Sequence, residues 1–110
     1  MIVKTVLNKT GTDAATGTVT GSNFKLEMAK SNRGIVMVKG DNYSNMSAVT
    51  FKIQGRLSDQ VAFVDIANGS ISQNAAGTTA VEDIQLYPEM RVDVTQFTGT
   101  SADLIVQIGC

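Results

Sequence analysis

Val49-Thr50-Phe51-Lys52-Ile53-Gln54 alternates apolar and polar side chains without a break. Successive side chains of an extended strand point to opposite faces, so Val49, Phe51 and Ile53 share one face and the three polar residues share the other. The segment therefore predicts a β-strand with one buried face and one solvated face.

The same two-residue period recurs along the chain. It is clear in FKLEM (residues 24–28), MRVDVT (residues 90–95) and LIVQI (residues 104–108). Strands are also expected at residues 17–20, 35–39, 61–66 and 81–86, and residues 35–38 are apolar on both faces, which indicates either a central strand or one that a neighbour covers. No stretch of ten or more residues has an apolar period of 3.6, so little or no helix is expected.

Residues that favour turns separate these segments. Turns are expected at residues 32–34, 40–42, 68–70 and 98–100, which are rich in Asn, Asp and Gly. Residues 68–79 (NGSISQNAAGTT) are expected to form one long polar loop, and residues 8–22 a second polar region.

About eight short strands in 110 residues predict an all-β fold. We expect a single antiparallel β-sandwich or jelly-roll-like domain over residues 1–110. Within it, residues 1–22 form either an edge strand or an arm that reaches a neighbouring subunit.

Composition excludes several classes of function. The chain has no His, one Cys and a net charge of -1. The lack of His excludes Ser-His-Asp and Cys-His catalysis and most zinc sites, and the near-neutral charge gives nucleic acid little to bind. No apolar run approaches the roughly 20 residues that span a bilayer, and no targeting segment is evident, so we expect synthesis in a reducing cytoplasm and no membrane partner.

Candidate chemical groups have simpler structural explanations. The carboxylates that could form an acid/base pair for glycoside hydrolysis fit solvated strand faces and turns, and they are Asp59, Asp65, Glu82, Asp83, Asp93 and Asp103. Asp41, Asn42 and Asn45 could approach a calcium ion, but their spacing fits no EF-hand loop and an Asn-rich turn explains them better. Cys110 is interpreted as a chance terminal thiol, with an intermolecular contact as the alternative. We expect no catalytic residue, metal or cofactor.

Tyr87-Pro88-Glu89-Met90-Arg91 is the most distinctive segment. Pro88, the only proline, cannot donate a hydrogen bond to a neighbouring strand, so it is expected to stand just before a strand. Arg91 would then point away from Met90 and Val92, toward solvent, a partner or a carboxylate such as Asp93 or Asp103.

Two longer stretches carry a resemblance to a known group. VTFKIQGRLSDQVAFVDI (residues 49–66) and LYPEMRVDVTQFTGTSADLIVQI (residues 86–108) resemble small virion proteins of tailed bacteriophages. Those proteins combine a Gln-Gly turn, an Asp-containing turn, and a later strand of the form aromatic-Pro-x-apolar-Arg-Val followed by a Thr/Gly turn. Arg56 stands where Ser is typical and Phe63 where Trp is frequent.

The resemblance implies a capsid decoration, or cement, protein. Such a β-sandwich binds the major capsid protein on the outside of the phage head and reinforces it. It implies a location on the virion exterior and a homo-oligomer, either a trimer or a dimer. Exposed aromatic and methionine side chains and arginine are common at interfaces, so the candidate interface residues are Tyr43, Met46, Tyr87 and Arg91.

Two alternatives share the expected fold. One is a structural module of a phage tail, baseplate or fibre attachment, which differs only in its partner. The other is a carbohydrate-binding module, which the absence of Trp disfavours.

Overall fold

The computed structural model describes residues 3–10, 19–20, 24–25 and 33–109. These residues contain nine β-strands. The strands are β1 (Val3–Lys9), β2 (Val19–Thr20), β3 (Phe24–Lys25), β4 (Arg33–Ser44), β5 (Ala48–Arg56), β6 (Val64–Ser72), β7 (Gly77–Gln85), β8 (Glu89–Thr98) and β9 (Ser101–Gly109). No residue in these ranges is helical. The all-β prediction is confirmed, with seven long strands and two strands of two residues.

The strands form two antiparallel sheets that pack face to face. Sheet A has the order β1-β9-β4-β7, and sheet B has the order β2-β8-β5-β6 with β3 also paired to β8. In chain order, β1, β4, β7 and β9 belong to sheet A and the other five strands to sheet B, so the described strands change sheet six times. The predicted β-sandwich is therefore confirmed.

The buried core includes the apolar residues that the alternating patterns predicted to face inward on β5, β8 and β9. On β5, Val49, Phe51 and Ile53 are fully buried. The inward residues of β8 and β9 are also at most 1% exposed, and they are Met90, Val92, Val94, Leu104, Val106 and Ile108. A strict period of two on these three strands thus predicted both the strands and their buried faces.

Strand β4 is longer than the sequence indicated. It runs over 12 residues between β9 and β7, which confirms its central position. The prediction of turns at residues 32–34 and 40–42 is wrong wherever the structure describes these residues. Arg33, Gly34 and residues 40–42 all lie within β4. Gly40 serves close packing instead, since a Cβ there would overlap the Tyr43 phenol. Asn42 takes a φ of 51° where the pairing with β9 is irregular.

The prediction of one long polar loop at residues 68–79 is wrong. Strand β6 continues to Ser72 and β7 begins at Gly77, which leaves four residues between them. The turn expected at residues 68–70 is a bulge in β6: Asn68 has a φ of 62°, and the register with β5 shifts there. The strand expected at residues 61–66 begins only at Val64.

Several boundaries agree with the sequence. Strand β8 begins directly after Pro88, and the turn at residues 98–100 joins β8 to β9 with Gly99 at a φ of 149°. Of the two alternatives for the amino-terminal residues, β1 is an edge strand of sheet A. The expected strands at residues 17–20 and 24–28 and the polar region at residues 8–22 lie only partly within the described residues. Cys110 lies outside them.

We predict that Ile53→Ala lowers the free energy of unfolding by about 2–5 kcal/mol, because it removes methyl and methylene groups from a fully buried site. Chemical denaturation measures the loss. Thr50→Ala, on the outer face of the same strand, is the matched control and should cost less than about 1 kcal/mol. Equal losses from the two variants would contradict the burial pattern.

Candidate functional site

Polar side chains from β5 and β8 meet on the outer face of sheet B, near the end of the sandwich where β5 ends and β8 begins. The antiparallel register places Gln54 opposite Arg91 and Arg56 opposite Glu89. All four side chains point away from the core, because the residues between them, Gly55 and Met90, are buried. Directly opposite residues on one face are close enough for their side chains to interact.

Arg56 connects strand β8 to the loop that follows β5. Its Nη2 lies 3.1 Å from Glu89 Oε1, and the two side chains are only 16% and 13% exposed. Its Nη1 donates a hydrogen bond of 3.3 Å to the carbonyl oxygen of Val61. Its Nε is buried and has no hydrogen-bond partner. One guanidinium group therefore holds both a neighbouring strand and the backbone of residues 57–63.

The Phe63 ring is the apolar partner of two arginines. The guanidinium carbons of Arg56 and Arg91 lie 4.3 and 4.4 Å from the centroid of this half-buried ring. Cation–π contacts of this kind contribute about 0.5–1 kcal/mol each at exposed sites and more when desolvated. They fix the end of the loop against sheet B, and we call Arg56, Phe63, Arg91 and Glu89 the Phe63 cluster.

Hydrogen bonds extend from the cluster across β5 to β6. Arg91 Nε donates to Gln54 Oε1 at 2.7 Å, and Gln54 Nε2 donates to Asp65 Oδ1 at 2.7 Å. Lys52 Nζ lies 3.1 Å from the other Asp65 oxygen. The hydrogen bond from Gln54, followed by that from Lys52, lowers the pKa of Asp65 below its ordinary value. Three strands of sheet B are thereby joined on their solvent side.

Beside the cluster, three large apolar side chains in the loop and directly after it are exposed. Leu57 is 71% exposed, and Val61 and Val64, the first residue of β6, are each 51% exposed. Within the loop, the Val61 amide donates a hydrogen bond to the carbonyl oxygen of Ser58. We call Leu57, Val61 and Val64 the apolar tip. Three such side chains within eight residues, beside a loop that is bound to the sheet, make this end of sheet B the candidate binding surface.

The residues proposed from the sequence lie at two opposite ends of the sandwich. Tyr43 and Met46 lie near the β8–β9 turn, partly buried against the core. The Tyr43 hydroxyl donates to the carbonyl oxygen of Gln73 at 2.6 Å, and burial raises the pKa of this phenol. Tyr87, also partly buried, packs on Gly55 at the cluster end. Only Arg91 belongs to the Phe63 cluster; as expected, it points away from the core, with its Nε 4.0 Å from Asp93.

Sequence reasoning missed Arg56 and the apolar tip as candidate site residues. The run Val61-Ala62-Phe63-Val64 was interpreted as part of a strand because it is uniformly apolar. A signal was present, since the polar triplet Ser58-Asp59-Gln60 directly before the run is typical of a short turn with exposed flanks.

Asp83, Asp103 and Asp41 take part in separate surface contacts. Asp83 accepts a hydrogen bond of 2.7 Å from Arg33 Nε, and this contact lowers the pKa of the carboxyl. Asp103 accepts a hydrogen bond from Asn42 Nδ2, and Asp41 Oδ1 accepts one from the Asn42 amide. The residues that the structure describes contain no group of three or more side chains arranged to bind a metal ion. Over the same residues, no helix is long and apolar enough to span a membrane.

No protein-family model, curated protein or solved structure matches this chain.

We predict that Arg56→Ala lowers the free energy of unfolding by about 1–3 kcal/mol, because it leaves the poorly exposed Glu89 carboxylate without its partner. Chemical denaturation measures this loss. The matched control is Lys52→Ala, which breaks an ion pair whose side chains are 42% and 56% exposed and should cost about 0–1 kcal/mol. A loss no larger than that of the control would show that Arg56 does not hold the loop.

We predict a pH dependence centred on Asp65. Because its pKa is lower in the folded than in the unfolded protein, Asp65 stabilises the fold above about pH 4, and this contribution is lost as the pH falls through the folded-state pKa. Gln54→Ala should raise the Asp65 pKa in an NMR titration. The Asp83 pKa should not move, since Arg33 lowers it independently. An unchanged Asp65 pKa in the variant would refute the role of Gln54.

Proposed function

We propose that this chain is a non-enzymatic structural protein of a tailed-phage virion that decorates the outer surface of the head. The resemblance of residues 49–66 and 86–108 to small phage virion proteins supports the proposal. These two stretches include all of β8, most of β5 and β9, the apolar tip and the Phe63 cluster. The segments that carry the resemblance therefore also carry the candidate site.

The observation that carries the proposal is the apolar tip. Leu57 and Val61 are exposed on a loop that accepts a hydrogen bond from Arg56 and whose last residue packs against two arginines, and the exposed Val64 follows directly as the first residue of β6. A loop whose backbone is already bound to the sheet loses less conformational entropy on binding than a free loop does, so burial of its side chains contributes more fully to affinity. Such a surface fits a protein partner, which we take to be the major capsid protein.

The proposed mechanism is stabilisation by mass action. A protein that binds only the assembled capsid lattice lowers the free energy of that lattice without any chemical step. Weak contacts made by each copy add up, because one particle offers many equivalent sites. The proposal involves no cofactor, nucleic acid or membrane, and it places the protein on the virion exterior after synthesis in the host cytoplasm.

A tail, baseplate or fibre-attachment module is the alternative with the same fold and the same kind of surface. A carbohydrate-binding module receives less support, because sugar platforms use exposed aromatic rings. Among the residues with described side chains, Tyr43, Phe63, Tyr87 and Phe97 are only partly exposed and Phe51 is buried.

The proposal is tested by adding purified protein to heads of the phage whose genome encodes it, assembled without this protein. We expect electron cryomicroscopy to show regular added density at capsomer junctions, with the apolar tip at the contact. Leu57→Asp should lower the bound fraction at least tenfold. Val3→Asp is the matched control, since Val3 is an apolar residue that is 59% exposed on β1, the edge strand of the other sheet, and it should bind as wild type does.

Density confined to the tail would support the tail, baseplate or fibre-attachment module instead. Absence of added density on every particle would overturn the proposal. Equal binding by both aspartate variants would remove the tip from the interface. Tyr43, Met46, Tyr87 and Arg91 are then the residues to test. Their alanine variants support an interface role only where binding falls and the melting temperature of the free protein does not.

A further inference from the structure

The outer faces of the two sheets differ in kind. On sheet B, the side chains of β5, β6 and β8 pair with one another through the hydrogen bonds and ion pairs around Arg91, Gln54 and Asp65. On sheet A, the centre of the outer face carries Met37, Ile105 and the smaller Ala80 in neighbouring strands. Met37 is 47% exposed and lies on β4, an inner strand of this four-stranded sheet.

A shallow depression of about 190 Å³ lies beside Met37 on this face. Its lining comes from the three neighbouring strands β4, β7 and β9 and consists of Met37, Val38, Lys39, Thr78, Ile105 and Gln107. The depression can receive an unbranched, flexible side chain, and methionine is the side chain that adapts best to such irregular spaces. An exposed Met thus forms part of the rim of an open depression on the same surface.

We propose that the outer face of sheet A pairs with the same face of a second copy, so that Met37 of each copy enters the depression of the other. A protrusion next to its own recess is the arrangement that a twofold, self-complementary interface needs. This proposal deepens the expected homo-oligomer by giving it a surface and selecting the dimer over the trimer. It does not depend on the identity of a capsid partner.

The charges on the face are compatible with self-pairing. Lys39 lines the depression, and Asp41 and Asp103 are opposite each other two residue pairs further along β4 and β9. A surface with both signs of charge can meet a copy of itself without the repulsion that a surface of one sign would cause. The aliphatic part of Lys39 can cover apolar area while its ammonium group stays in water.

The area of the outer face of sheet A limits the size of the interface that two copies can form. Four strands spaced about 4.8 Å apart and about 25 Å long present roughly 500 Å² on one face. Two such faces bury roughly 1,000 Å², which is the lower limit for specific interfaces. The dimer is therefore reversible and concentration-dependent, with a dissociation constant in the micromolar range or weaker.

Sedimentation velocity of the isolated protein between about 10 μM and 1 mM tests the proposal. We expect the mean sedimentation coefficient of the wild type to rise toward that of a dimer. Met37→Lys should weaken association at least tenfold, because it brings two cations together at the centre of the face. Leu57→Lys, the same change at the apolar tip, should associate as wild type does. A wild type that stays monomeric, a trimer, or equal effects of the two variants would overturn the proposal.

A second measurement needs no variant and covers the case in which Met37→Lys does not fold. On dilution of the wild type, NMR signals of Met37, Ile105 and Gln107 should shift together, and those of Thr50 and Lys52 on sheet B should not. Shifts on sheet B alone would overturn the proposal. Both measurements use the free protein, so a negative result leaves capsid binding untouched, and failure to bind capsids leaves the dimer untouched.

Discussion

The contacts of the Arg56 guanidinium are the constraint on which the candidate site depends. Arg56 is the last residue of β5, and its two terminal nitrogens contact Glu89 on β8 and the Val61 carbonyl in the loop, while its carbon lies over the Phe63 ring. A planar group with several donors can serve three partners at once, whereas a lysine ammonium could not stack on the ring in the same way. Without these contacts, residues 57–63 would keep only the Ser58–Val61 hydrogen bond and the stacking of Phe63 on Arg91, so Leu57 and Val61 would be held less firmly.

The sandwich presents two different surfaces. On the outer face of sheet B, the side chains of Arg91, Gln54 and Asp65 form hydrogen bonds with one another across three strands. The outer face of sheet A carries the exposed Met37 beside an open depression. The apolar tip lies at the end of sheet B where β5 ends, and the depression lies on sheet A. The proposed capsid contact and the proposed dimer therefore use different residues.

Local sequence patterns predicted a strand and its buried face wherever one face of the strand packs in the core and the other faces solvent. Strands β5, β8 and β9 are of this kind, and their buried residues could be read directly from the alternation. The prediction of turns failed where Gly and Asn lie within strands, at a site of close packing or at a bulge. Gly40 admits the Tyr43 ring within a strand, and Asn68 forms a bulge, yet both residue types also favour turns. Which use applies depends on neighbours that are distant in the chain.

The site was less predictable than the fold for the same reason. Arg91 could be placed on the outer face of its strand, because Met90 and Val92 beside it are apolar. Its pairing with Gln54, 37 residues earlier, depends on the register of β5 and β8, which no local pattern specifies. Phe63 meets the two arginines only because the loop folds back onto the sheet.

The backbone dynamics of residues 57–63 test the central claim most directly. Amide ¹⁵N relaxation of the free protein gives an order parameter for each residue on the picosecond to nanosecond timescale. If Arg56 and Phe63 hold the tip, the order parameters from Leu57 to Phe63 will be about 0.85, equal to those of β5 and β8. Values below about 0.6 across the loop would contradict the account, because a tip that moves freely is not a preformed binding surface.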